Sequence, residues 1–208
     1  MRELEREWWL RMLLVLRRPR EVFMELRDDS VEAATARQEP LTAVVFLAGI
    51  SIFLSTRTAA HLFDDVAFDA LLVVVEAVVA GMLVGLQNFW LLGGAVHLGA
   101  RAADAETSYR QARHIVGLAG MPFVLALVAV WPVRLALYGS DVFRTGGADA
   151  GTGDHVFQGI DAAFLAWSVA LIVIGVRTVH GWTWARSLAA FSLAGVFMTL
   201  GLAAVFVL

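Results

Sequence analysis

Polar and apolar residues are segregated along this chain rather than interleaved. A charged opening of 39 residues gives way to five long apolar blocks divided by short polar connections. The blocks fall at about 40–58, 66–99, 112–138, 157–179 and 184–208. A helix of roughly 20 mostly apolar residues crosses a hydrocarbon core of about 30 Å, and each block is close to that length or longer. The pattern predicts an all-α fold: a polytopic membrane helical bundle with five transmembrane helices. The second block is the longest. At 1.5 Å per residue its 34 residues make a helix of about 50 Å, so it must tilt, break at Gly93–Gly94 or project from the bilayer. The loop at 139–156 is Gly-rich and polar and reads as a surface connection. No internal repeat is evident, and an odd number of spans does not suit a transporter built from inverted repeats.

The opening 39 residues have a pattern of their own. Leu4, Trp8, Met12 and Val15 recur at helical spacing with Arg and Glu between them. Trp8 and Trp9 suit the headgroup level, so the stretch reads as a helix lying in the cytoplasmic interface. An ordinary amphipathic helix packed on the bundle is the alternative. Pro19 fits the first turn of a second short helix, "PREVFMELRDD". Pro40 then opens the first span. The expected organisation is therefore interfacial helices over 1–39 and a five-span domain over 40–208. The best early apolar run, residues 8–16, is short, split by Arg11 and without a small-residue cleavage site. No cleavable signal peptide is predicted.

Composition agrees with this reading. The chain is 59% hydrophobic, with a mean hydropathy of +0.72, well above what a soluble domain carries. There is no cysteine, which excludes disulfides, thiolate zinc sites and cysteine nucleophiles. All 16 basic residues are Arg. With the N-terminus inside, 13 of them fall on cytoplasmic segments and three, Arg57, Arg134 and Arg144, fall outside. The outer loops also carry Asp64, Asp65, Asp141, Asp149 and Asp154. This bias predicts a multi-pass protein of the cell membrane with a cytoplasmic N-terminus and an external C-terminus.

Few residues offer chemistry. Glu76 lies near the middle of the second block, where an ionisable group faces a bundle interior or a wet cavity. Gln87 and Gly94 follow at eleven and eighteen residues, close to whole numbers of turns, so the three share a face. Gly81 and Gly85 form a G-x-x-x-G on the opposite face, with Asn88 nearby, suited to close helix packing or self-association. Glu76 reads either as a proton, cation or headgroup site or as a protonated carboxyl bonded to a neighbouring helix. Asp161 begins the fourth block, where a helix dipole favours an acid. His97, His114 and His180 share a depth, but no H-x-x-x-H spacing supports a metal. No Walker loop, dinucleotide fingerprint or nucleophile motif appears, so neither a cofactor nor an enzyme activity is predicted. Arg110, Arg113 and His114 close a cytoplasmic loop at headgroup level. There they can meet phosphates of anionic lipids and not a nucleic acid.

Several motifs together resemble the Yip (Ypt-interacting protein) family of five-span membrane proteins. They are Pro19, Val22, Phe23 and Leu26 as "P-x-x-V-F-x-x-L"; Pro40; "VHLGAR" at the end of the second block; "TSYRQARHIVGLAGMP"; and the short turn "GVRTVHGWTWARSLAAF". The resemblance covers most of the chain. It implies a helical five-span domain with a cytoplasmic N-terminus. Eukaryotic members look like adaptors that bind prenylated Rab GTPases. This chain departs from them in its short, helical N-terminal region, and its Arg-only composition points to a prokaryotic source, so fold carries over better than function.

Two readings follow. The first is a non-enzymatic scaffold or adaptor that organises anionic lipids or an unidentified protein partner through Trp8, Trp9, Arg17, Arg18, Arg110, Arg113 and His114. The second is a small permease, channel or lipid-moving protein whose path is lined by Glu76, Gln87, Asn88 and Asp161; His97 is a further polar residue of the second block.

Overall fold

The computed structural model describes residues 2–64, 70–148 and 151–207, with side chains from Glu7 onward and not at 202 or 204–207. Asp65, Val66 and Asp149 lie outside the described residues, as does the side chain of Leu4. Among the described residues there are helices and no strand. Two short helices lead: α1 (Arg2–Leu14) and α2 (Pro19–Met24). Then come α3 (Val31–Leu54), α4 (Ala70–Ala102), α5 (Tyr109–Ala119), α6 (Met121–Ala129), α7 (Trp131–Tyr138), α8 (Thr152–His180) and α9 (Trp184–Val207). Five stretches are long and apolar enough to cross a membrane: α3, α4, the series α5–α7, α8 and α9. The chain is a multi-pass, all-helical membrane protein.

The boundaries have local causes. Ser30 caps α3 by accepting a hydrogen bond from the Ala33 amide, as Ser108 caps α5 by accepting from Gln111; each fills one orphan donor of a first turn. Pro40 does not open the first span. It is buried inside α3, nine positions after the helix begins at Val31, because the cap at Ser30 starts the helix upstream and one missing amide is tolerated within a packed membrane helix. The third span is interrupted at Gly120 and Val130, each followed within two residues by a proline, Pro122 and Pro132. α4 runs unbroken through Gly93 and Gly94.

Two apolar clusters close the bundle at its ends. The proximal cluster joins α1 and α2 to the bundle through Trp8, Met12, Val15, Val22, Phe23 and Leu26, packed with Ile115, Leu118 and Val176. The distal cluster brings Phe53, Leu62, Val73, Trp131 and Phe143 together. The motif "P-x-x-V-F-x-x-L" is thereby explained. Pro19 stands at the start of α2, Val22, Phe23 and Leu26 are fully buried, and Phe23 crosses α8 where Gly175 leaves room, a Cβ there meeting its ring at 3.1 Å.

Candidate functional site

The sequence places a charged group where the packing stripe of α3 requires an apolar one. Ala34, Arg37, Leu41, Val44 and Ala48 are all buried, at the spacing of one helix face, and Arg37 is only 1% exposed. A buried guanidinium needs partners, and the chain supplies hydrogen bonds to Nε and Nη1 and an ion pair to Nη2. Its Nε donates to His114 Nδ1 at 2.9 Å, and its Nη1 to the Asp28 carbonyl at 3.0 Å. Its Nη2 stands 3.5 Å from the Asp29 carboxylate, and Trp8 of α1 lies 5.9 Å away as a ring partner.

Asp29 binds this node to α5. It accepts from Arg110 Nε at 2.9 Å and from the Ser108 hydroxyl at 2.5 Å, and the Asp29 carbonyl accepts from Arg110 as well. Burial opposes ionisation of this carboxyl, but the hydrogen bonds from Arg110 and Ser108 outweigh it and hold the group below the ordinary aspartate range. Gln111 Nε2 donates to the Leu26 carbonyl at 2.7 Å. Arg27 adds two bonds, at 3.1 and 2.7 Å, to the Thr178 carbonyl near the end of α8.

The three basic residues of "YRQARH" thus have protein partners. Arg110 is held by Asp29 and is 36% exposed at its side chain. His114 is buried against Arg37. Arg113 lies over Trp90 at 3.8 Å, with Tyr109 at 4.8 Å and Phe89 at 5.3 Å. Gly93 opens the room for it, since a Cβ there would stand 2.5 Å from Arg113 Cγ.

The other candidates divide between packing, surface and cavity. Trp8 is buried and Trp9 is 45% exposed. Arg17 and Arg18 are exposed and, with Arg20, Ile174 and Trp184, line a cavity of about 390 Å³ at the proximal end. Gly81 and Gly85 face α3: a Cβ at Gly85 would stand 2.2 Å from the Val45 carbonyl oxygen, and one at Gly81 2.5 Å from Ile50 Cα. Glu76 is half-buried and Gln87 exposed. Neither is among the lining residues of the central cavity, about 520 Å³, to which Asn88 and Asp161 do contribute. His97 packs edge-on to Tyr109 at 5.8 Å. Among the described residues no group of three His, Cys, Asp or Glu could hold a metal.

The sequence profile of the Yip1 domain matches residues 13–206, which takes in the helix-α2 motif, the polar node and all five spans. The chain belongs to the Yip1 domain family. No curated protein and no solved structure matches it. In this Yip1 domain the shared motifs turn out to be joints: α2 onto α8, and the α2–α3 linker onto α5. Sequence reasoning missed Arg37, Asp29 and Ser108. The signal for Arg37 was its place in the apolar stripe of α3, and for Ser108 its capping position before α5.

Proposed function

We propose that this Yip1 domain protein is a non-enzymatic membrane scaffold that gathers anionic lipid headgroups, and through them a partner, at the proximal face formed by α1, α2 and the start of α9. One observation carries the reading: α1 is apolar on two sides. Trp8, Met12 and Val15 are buried in the bundle, while Trp9, Leu10 and Leu13 are 45%, 69% and 64% exposed. A helix with a second, unpartnered apolar side next to Arg17, Arg18 and Arg20 suits the plane between headgroups and acyl chains. Trp184 stands in the same cavity as those arginines, with Arg177 4.7 Å above its ring. The positive-inside bias supports placing this face in the cytoplasm. The polar node steadies the platform: the linker that follows α2 is tied to α3, α5 and α8 by hydrogen bonds at Leu26, Arg27, Asp28 and Asp29, and Trp8 of α1 packs near Arg37.

The test is native mass spectrometry of the protein released from membranes that contain phosphatidylglycerol. At about 1 kcal/mol per arginine near an anionic surface, the triple change Arg17→Gln, Arg18→Gln, Arg20→Gln should lower retention of anionic lipid at this face by roughly two orders of magnitude. Retention equal to that of the unaltered protein would remove the proposal.

A further inference from the structure

The bundle holds a second lipid-shaped space, at the end away from α1 and α2. The central cavity, about 520 Å³, is walled mainly by apolar side chains of α3, α4, α6 and α8, in the size range of about 300–1,000 Å³ usual for small-molecule sites. Along α3 its lining runs from Val45 to Thr56 and along α8 from Asp161 to Ile172. The α3 run covers nine helical steps to the end of the helix at Leu54 and continues into the turn at Ser55 and Thr56, and the α8 run covers eleven, or about 16 Å. That is the acyl depth of one leaflet, half of a core of about 30 Å. Phe89, Leu92, Ile172 and Phe191 close it at mid-bundle.

Its outer end is not apolar. Ser55, Thr56 and Asp161 line both this cavity and a second one of about 370 Å³. The second chamber is polar: Arg57, Arg134 and Arg144 contribute to it together with Asp154 and Asp161, so that its arginines outnumber its carboxyl groups by three to two. Of these, Arg134 stands 3.7 Å from Asp154, and Arg57 and Arg144 are exposed. The positive-inside pattern leaves only these three arginines for this side of the molecule, and all three meet in one chamber. An apolar cavity of one-leaflet length that opens past Ser55, Thr56 and Asp161 into a chamber where arginines outnumber carboxyl groups has the polarity of an anionic glycerophospholipid. We infer that the distal half of the bundle binds one anionic glycerophospholipid, with an acyl chain in the central cavity, its glycerol region at Ser55 and Thr56, and its phosphate facing Arg57, Arg134 and Arg144. The site is separate from the proximal face.

The experiment uses the full chain in nanodiscs of equal phosphatidylglycerol and phosphatidylcholine, released for native mass spectrometry. One phosphatidylglycerol per chain should remain after the Arg17/Arg18/Arg20→Gln change, which removes only the lipid held at the proximal face. Ala162→Trp, which fills the cavity close to its outer end, should lower retention at least tenfold. Arg57→Gln with Arg144→Gln should keep a lipid but equalise the two headgroups. No bound lipid in the unaltered protein, undiminished retention in Ala162→Trp, or an unchanged headgroup preference in the double variant would each overturn the inference. A second measurement on the unaltered chain covers the case in which a variant misfolds. Phosphatidylglycerol with a photoreactive acyl chain should label Ile52 and Val169 on the cavity wall. Labelling confined to outward-facing residues such as Leu71 and Val79 would refute the site.

Discussion

Arg37 donates to His114 across 2.9 Å in the buried proximal end of the bundle. The donor is a guanidinium, so His114 must offer the lone pair of Nδ1 and carry its proton on Nε2. The pair joins the first span to the third, over 77 residues of chain. Truncating Arg37 to Ala would leave His114 Nδ1 without its donor, take one of two cationic partners from Asp29 and empty a side-chain volume, a loss of about 3 kcal/mol for a broken buried charge network. Arg37→Lys keeps the charge but not the fork that reaches His114, the Asp28 carbonyl and Asp29 at once, and should recover less than half of that loss. Thermal unfolding in a mild detergent checks both. Equal melting of Arg37→Ala and the unaltered protein would show that the node contributes no stability.

Asp29 makes the same node sensitive to acid. Its hydrogen bonds from Arg110 and Ser108 depress the folded-state value below the ordinary one, near 3.9. A carboxyl depressed in the folded state contributes stability that is complete above its unfolded value. That contribution fades as pH falls through the folded value. The unaltered protein should therefore lose melting temperature steeply below about pH 4. Asp29→Asn should be less stable at neutral pH and should flatten that acid limb. An acid limb of unchanged steepness in Asp29→Asn would assign the sensitivity to other carboxylates.

The sequence made some of this legible and hid the rest for a physical reason. Span length and helical period are local properties, so five crossings and an amphipathic leader could be read from the order of residues alone. The start of α3 could not be read from Pro40, because a proline in a membrane helix neither begins nor ends it by itself, and the cap that does begin it, Ser30, lies ten residues earlier. Periodicity puts Glu76 and Gln87 on one line but does not say which way that line looks; the packing of α3 on Gly81 and Gly85 decides it. Arg110 and Asp29 are 81 residues apart, and a pairing over that distance leaves no periodic trace.

Arg113 tests how far an aromatic surround can stand in for an anion. It lies over Trp90 at 3.8 Å and close to Tyr109 and Phe89, while its buried Nε has no hydrogen-bond partner. Stacking on ring faces is thus its main attachment, and a desolvated cation–π contact is worth about 2 kcal/mol. Arg113→Lys keeps a cation but not the planar face and should cost about 1 kcal/mol. Arg113→Met keeps most of the stem and should cost more. If Arg113→Met melts at the same temperature as the unaltered protein, the stem rather than the charge holds α5 against α4.

The α3–α4 crossing gives the sharpest contrast between glycines. At Gly85 a Cβ would be forced to within 2.2 Å of the Val45 carbonyl oxygen, and at Gly49 to within 2.2 Å of the Gly81 carbonyl oxygen. Both obstacles are backbone, so the helices themselves would have to part. Gly85→Ala should cost about 1–3 kcal/mol as an overpacked contact, and Gly85→Val should prevent assembly. Gly159 and Gly195 also sit in helices, but a Cβ at either meets nothing within 4 Å. Alanine there should be neutral, or stabilising by up to about 1 kcal/mol through helix propensity. Melting temperatures and yields of the single variants decide between a crossing set by backbone contact and one held by side chains. If Gly85→Ala behaves like Gly195→Ala, the close approach of α3 to α4 is not what fixes the bundle.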